Sequence, residues 1–337
     1  MKKSIIRCLL CFGLLLIVAA VAGYFYLQNY ASQKIQLQQD DQLITIERGT
    51  SVQRLSQQLE AEQLITNSQL LPLLLRFDPS LRAIKAGTYR LSANMTLRDL
   101  LVLLCSGKEA QFTIQFIEGT RAKDWLLTLQ AAPYIHHQLT DLSLEQVAEK
   151  LGIDGHIEGW FYPDTYHYTA GTTDVAILKR AYQRMDSHLQ IAWNGRATGL
   201  PYKSAYEMLI MASIIEKETG VDSERGLVSS VFYNRLGIGM KLQTDPTVYY
   251  GRSESIQGPL TRDDLREKTP YNTYVIYGLP PTPIAMPGEA SLQAAAHPTP
   301  SKYLYFVADG YGGHVFTTNL DSHNRAVQEY LRVIRNR

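Results

Sequence analysis

Cysteine is scarce: the 337 residues hold 3, and two of them, Cys8 and Cys11, fall in an apolar run near the N-terminus. Cys105 stands alone in the remainder, which excludes an intramolecular disulfide there and a disulfide-stapled miniprotein altogether. Charged residues are few, 19% against 45% hydrophobic, so the chain is too apolar to be disordered and is long enough for about two cores. Neither sign dominates: 33 Lys and Arg face 32 Asp and Glu. There is thus no surplus to neutralise phosphates, and nucleic acid is not an expected partner. The chain also lacks H-E-x-x-H and G-x-S-x-G, and its C-x-x-C, Cys8 to Cys11, lies inside the apolar run. Gly310-Tyr311-Gly312-Gly313 is a turn, since no Lys-Ser/Thr pair follows it as in a phosphate loop. His297, His314 and His323 match no compact ligand spacing, so neither a metal nor another cofactor is expected.

Acid is missing from the first thirty residues, which hold Lys2, Lys3 and Arg7. Cys8 to Leu27 then runs twenty residues without a charge. At about 1.5 Å per residue this spans the roughly 30 Å core of a bilayer. Basic residues before the run place the N-terminus in the cytoplasm and the rest outside. Tyr24, Phe25 and Tyr26 are expected at the outer interface. A cleaved signal peptide is the alternative, because Ala20-Val21-Ala22 fits a small-x-small site. The anchor is preferred, since the run outlasts the usual ~7–15-residue signal core. Neither membrane cysteine sits in a lipoprotein context.

Beyond a Gln-rich stalk, three segments repeat a strand-turn-helix pattern. Ile44-Thr45-Ile46 alternates, turns at Gly49 and enters a helix spaced by Val52, Leu55 and Leu59. Tyr89-Arg90-Leu91 leads to Leu97, Leu100, Leu101 and Leu104, ending at Gly107; Phe112 to Phe116 leads past Gly119 to Trp125 and Leu129. Thr50 or Ser51, Thr96 and Thr120 are the candidate N-caps. The stretch from Glu158 to Tyr168, dense in aromatics and broken by Gly159 and Pro163, reads as a loop. Helices are expected over 175–193, 207–219, 223–236 and 323–334, the second stopped by Gly220. Leu209-Ile210-Met211-Ala212-Ser213-Ile214-Ile215 is apolar on nearly every face, so that helix should be buried and central. After Met240 the frequent prolines predict loops and strands. The fold class is mixed α+β.

Glu216 and Glu218 end the buried helix. There the negative end of the macrodipole and a low-dielectric setting both raise a carboxyl pKa, as a general acid near neutral pH requires. Helical spacing sets Glu218 over Ile214, Ile215 and Met211, and Glu216 over Ala212 and Ser213, so Glu218 is the better acid. The blander alternative is a solvated glutamate paired with Lys217 or Arg225. Asp245, between Thr244 and Pro246, is either a second carboxylate for a glycoside hydrolase or a turn cap. Most aromatics belong to cores, but Trp160, Tyr162, Tyr166, Tyr271 and Tyr274 lie in loop contexts beside Asn272 and Thr273 and offer flat faces for sugar rings.

The stretch Met211-Ala-Ser-Ile-Ile-Glu-Lys-Glu-Thr219 followed by Arg235-Leu-Gly-Ile-Gly-Met-Lys-Leu-Gln-Thr-Asp-Pro-Thr-Val248 resembles the YceG-like endolytic murein transglycosylase family. Glu158-Gly-Trp-Phe-Tyr-Pro-Asp-Thr165, Tyr271-Asn-Thr-Tyr274, Gly278-Leu-Pro-Pro281, Ala294-Ala-Ala-His-Pro298, Tyr303-Leu-Tyr-Phe-Val-Ala-Asp309 and His323-Asn324 continue the likeness, nearest to its enterobacterial inner-membrane type. Thr282 departs from it, where relatives often carry Gly after Pro-Pro. The resemblance implies a single-pass inner-membrane protein whose periplasmic part cuts peptidoglycan glycan strands internally. The β-1,4 bond between N-acetylmuramic acid and N-acetylglucosamine would be cleaved without water, leaving 1,6-anhydro ends.

The likeness of Glu218-Thr219 to the Glu-Ser signature of lysozyme-like transglycosylases carries the catalytic role to Glu218. Gln243, Asp245, Trp160, Tyr162, Tyr271, Asn272, Tyr274 and Glu216 are the expected substrate-binding residues. The implied division is an anchor over 1–30, a stalk over 31–41, a LysM-like module over 42–109 and a catalytic domain over 110–337. Peptidoglycan synthases are the implied partners, with nascent strands cut to limit their length. Two rival functions remain open on sequence alone: a muramidase using Asp245 to activate water, and a non-catalytic glycan-binding scaffold.

Overall fold

The computed structural model describes residues 2–252 and 258–336. The chain divides into two compact units, residues 1–112 and 113–337.

The first unit opens with one unbroken helix, α1 (Lys2–Ala31). Its segment Ile5–Ala31 is long and apolar enough to cross a membrane. Then follow β1 (Leu43–Ile46), α2 (Val52–Ala61), α3 (Leu70–Phe77), β2 (Gly87–Arg90) and α4 (Leu97–Ser106). β1 and β2 pair antiparallel with Ile44 opposite Tyr89. Ser51 caps α2 by accepting the Arg54 N–H. Thr96 and Asp99 form a reciprocal capping box on α4, which ends at left-handed Gly107. Ile44, Leu55, Leu59, Leu71, Leu75, Leu100 and Leu104 fill the core.

The Gln-rich segment expected as a stalk is in part built into this unit. The Ile35 N–H donates to the Met95 carbonyl, the Leu97 N–H donates to Gln33, and Ile35 is buried. One apolar side chain among glutamines suffices, because it docks while the neighbouring backbone finds partners.

In the second unit β3 (Phe112–Gln115) leads to α5 (Ala122–Ala131), α6 (Leu144–Leu151), β4 (Thr165–Tyr168) and α7 (Asp174–Gly195). Next come α8 (Ala205–Glu218), α9 (Asp222–Gly237), α10 (Asp245–Gly251) and α11 (Glu289–Ala296). The hairpin β5 (Tyr305–Ala308) and β6 (His314–Thr317) and the amphipathic α12 (Leu320–Arg335) close the chain. β3 pairs with β4. α8 is buried from Met208 to Ile215 and packs against α7, α9, α10 and α11. Its one polar interior group, Ser213, donates to the Ile210 carbonyl and accepts the Ile284 N–H at 3.0 Å.

Three local expectations are corrected. α8 ends because Thr219 turns extended (φ −144°, ψ 132°), and Gly220 does not take the left-handed conformation that a glycine stop would use. Arg121, with Asp124 accepting its N–H, occupies the N-cap of α5. Thr120 instead bonds the Ile117 carbonyl and accepts from the Trp125 indole. The region after Met240, read as loops and strands before the expected last helix, also carries α10 and α11; α11 is short and alanine-rich, so its small side chains let it lie close against α8.

The aromatic loop is locked by Gly159, whose φ of +82° favours glycine and whose missing side chain leaves room for the Pro283 ring. Gly159→Ala should therefore combine backbone strain with overpacking and destabilise the second unit by about 1–3 kcal/mol. Urea denaturation followed by Trp125, Trp160 and Trp193 measures it, all three tryptophans lying in that unit.

Candidate active site

The wholly apolar flank of α8 forces neighbours around it, and the helix delivers Glu218 at its last turn into their junction. Glu218 lines a cavity of about 420 Å³ together with Arg235, Gln243, Asp245, Tyr274 and His323. On its other side a cavity of about 460 Å³ holds Arg121, Lys217, Tyr249 and Ile284, with Glu218 and Asp245 again in the wall. The two carboxylates are therefore flanked by open space in both directions.

Burial pushes the Glu218 carboxyl up to about 7; the Thr244 hydroxyl opposes this, Asp245 adds to it, and His314 and Arg235 oppose it. The Thr244 Oγ1 donates to Glu218 Oε1. That hydroxyl is held in place by a buried threonine cluster. The Thr244 N–H donates to Thr273 Oγ1 at 3.0 Å, and Thr247 Oγ1 donates to the Thr244 carbonyl at 2.7 Å. Gln243, at φ 49°, makes the left-handed turn that sets Thr244 and Asp245 at the start of α10.

Asp245 is oriented by a relay. Asn272, 1% exposed, donates to the Asp264 and Glu267 carbonyls and accepts the Tyr274 N–H. The Tyr274 hydroxyl then donates to Asp245 Oδ1 at 2.6 Å. Burial, with Asp245 beside it, drives the Tyr274 phenol far above its usual range and keeps it a donor. Arg235 crosses beneath: Nε donates to the Leu304 carbonyl and Nη1 to Leu242, both at 2.6 Å, tying the loop before Gln243 to the β5 hairpin. Its guanidinium lies 5.3 Å from the Tyr305 ring centre, and Tyr305 stacks on His323.

Of the residues picked from sequence, Glu218, Gln243, Asp245 and Tyr274 share one cavity. The others lie elsewhere. Glu216 turns away to accept the Gly288 N–H at the start of α11. Trp160 stacks on Tyr206 and packs against Tyr182. Tyr162 is buried, stacked on His188, with Arg184 over its ring. Tyr271 packs on Tyr250 and shares a hydrogen bond with Thr282. Asn272 is a buried support for Tyr274. These rings were drawn into packing because an aromatic between helices buries more area than one in a cleft.

Sequence reasoning missed Arg235, Thr244 and Arg121. Arg235 left a readable trace, since it continues the buried stripe Val228, Val231, Phe232 at helical spacing. A cation there needs acceptors, and loop carbonyls supply them. A third cavity of about 370 Å³, beside Leu126, Leu142 and Leu144, has Asp174 in its wall. That carboxylate is already engaged by the N–H groups of Gln138, Leu139 and Val175, which leaves Glu218 the better placed acid. Among the described residues no three of His, Cys, Asp and Glu converge as metal ligands.

The raised carboxyl has a measurable sign. Glu218 titrates at about 7 in the fold and near ~4.3 when unfolded, so the folded state binds the proton more tightly. Stability should fall as pH rises between those values. Glu218→Gln, which cannot ionise, should be more stable than the parent above pH ~7 and converge with it below ~4.3 in urea titrations across pH. Thr244→Val should move the Glu218 carboxyl further upward, as read by carbon NMR titration.

The YceG-like family model matches residues 44–329. A Bacillus subtilis protein named endolytic murein transglycosylase is 31% identical over 308 residues, covering 86% of this chain and 84% of its own. A Streptococcus pneumoniae protein of the same name is 26% identical over 358 residues, with 95% of this chain matched to 64% of that relative. A solved yceG-like protein from Listeria monocytogenes superposes with a TM-score of 0.52 at 28% identity, over 85% of this chain and 98% of that one. With the family model spanning most of both units and such relatives along its length, the chain belongs to the YceG-like family.

Proposed function

We propose that the protein is an endolytic murein transglycosylase, cutting the MurNAc-β-1,4-GlcNAc bond of peptidoglycan with Glu218 as its acid and base. One observation carries this reading: a carboxyl held near 7 by burial, at the end of a buried helix, facing cavities on both sides. The names of the Bacillus and Streptococcus relatives support it.

The steps balance with one carboxyl. The Glu218 proton passes to the glycosidic oxygen as the bond from C1 breaks, and the GlcNAc end leaves as an alcohol. The resulting carboxylate takes the proton of the muramyl C6 hydroxyl as its oxygen closes on C1. The carboxyl is restored, and no water is consumed. Thr244 steadies the ionised form between the two steps by donating to Oε1. Open space on both sides of Glu218 suits an internal cut, since glycan continues past the bond in both directions. Gln243, Asp245 and Tyr274 line one side for sugar contacts, and Arg121 and Lys217 give the other side its cations.

The remaining assignments follow from the same reading. α1 anchors the protein in the inner membrane as a single pass, with Lys2, Lys3 and Arg7 cytoplasmic and the chain beyond α1 periplasmic. Residues 42–109, from β1 to α4, are the LysM-like module, and synthases of nascent glycan are the partners.

Digestion of purified sacculi read by mass spectrometry tests the function. Anhydro ends are expected; reducing ends would establish a muramidase with Asp245 as base, and intact sacculi a scaffold. Glu218→Gln should lower turnover by about 10²–10⁴-fold while Glu216→Gln stays active. The first step needs the protonated acid, so kcat/KM should fall as pH rises through about 7.

A further inference from the structure

We propose that the exposed edge of α3, Leu73 and Phe77 with Arg76, is a second membrane contact that seats the first unit on the lipid surface. This rests on α1 being the membrane anchor. From Ile5 the side chains of α1 are exposed as far as Phe25 and Tyr26, at 65% and 61%, and then become buried at Leu27, Tyr30 and Ala31. The helix itself does not break between the two stretches. The switch from lipid-facing to protein-facing surface therefore occurs within a turn.

Two contacts fix how α3 lies beside that switch. Before α3 begins, the Asn67 carbonyl accepts the Tyr30 hydroxyl at 2.7 Å. After α3 ends, Arg98 joins Asp78 to Gln28, donating to Asp78 Oδ2 and Gln28 Oε1 at 3.0 Å each. The segment 67–78 that holds α3 is thus tied to the last turns of α1 at both of its ends. Gln28 is three residues past Phe25, about 4.5 Å along the axis. Phe77 immediately precedes Asp78, which the Arg98 guanidinium links to Gln28.

The chemistry of the edge fits an interface. Leu71, Leu74 and Leu75 point into the core, while Phe77 is 67% and Leu73 46% exposed, one turn apart on the outer face. Interfacial segments bury their apolar side chains by roughly 5–10 Å, a depth within reach of a ring at this level. Arg76 is exposed between them, where its stem lies along apolar surface and its guanidinium reaches lipid phosphates. The nearest acid, Asp78, is already engaged by Arg98 and Ser80, so it does not oppose an anionic surface with a free charge.

The test uses the full chain in phospholipid vesicles carrying acyl-chain-brominated lipid. Phe25→Trp, Phe77→Trp and Leu73→Trp are made singly, and the emission of Trp125, Trp160 and Trp193 in the parent is subtracted. Bromolipid should quench the Phe77→Trp emission nearly as strongly as that of Phe25→Trp, with Leu73→Trp weaker. Quenching at 25 with none at 77 and 73 overturns the proposal and leaves the anchor standing. Quenching at none of the three overturns the anchor and this contact together. A blue-shifted but unquenched Phe77→Trp places another protein or a second copy on the edge, and overturns the lipid assignment.

Discussion

The carboxyl of Glu218 is half-buried at the end of a helix that is apolar on nearly every face, and much of the second unit is arranged around that helix. A segment such as Met208 to Ile215 cannot lie at a surface, so α7, α9, α10 and α11 pack about it. At its last turn the helix meets open space, and a carboxyl there combines desolvation with a helix C-terminus. Ser213 shows how tightly the arrangement is specified: its hydroxyl is used twice, and it binds the segment that also walls one of the cavities.

Around the acid, the supporting groups have separate tasks. The threonines 244, 247 and 273 fix a single hydroxyl against the carboxyl. Asn272 and Tyr274 orient Asp245 from the other side. Arg235 holds two backbone segments together by their carbonyls, and that use of a guanidinium needs no acidic partner. This is a site made stiff by hydrogen bonds to backbone, with few direct links between its charged side chains.

What could be read from the sequence was what depends on short-range pattern. A run of seven residues apolar but for Ser213 announced α8, and the three- and four-residue spacing behind Glu218 separated it from Glu216. Thr96 and Ser51 announced their helices because a capping hydroxyl acts within three residues. Partners distant in the chain stayed hidden. Nothing local tells that Thr244 would meet Glu218, or that Trp160 would stack on Tyr206 instead of on a sugar. α11 escaped because eight residues rich in alanine, set among prolines, give little periodicity. Gly220 misled for a similar reason: the stop lies one residue earlier, in an extended threonine.

The unbroken passage of α1 into the first unit has a further consequence, one of phase. A flexible tether would transmit only a distance from the bilayer. A continuous helix transmits an angle as well. One residue added between Tyr26 and Leu27 would raise the module by about 1.5 Å and turn it by about 100° around the helix axis. Seven residues would raise it by about 10 Å and return it almost to its first bearing. The number of residues between the membrane and Leu27 therefore sets the direction the module faces as well as its height.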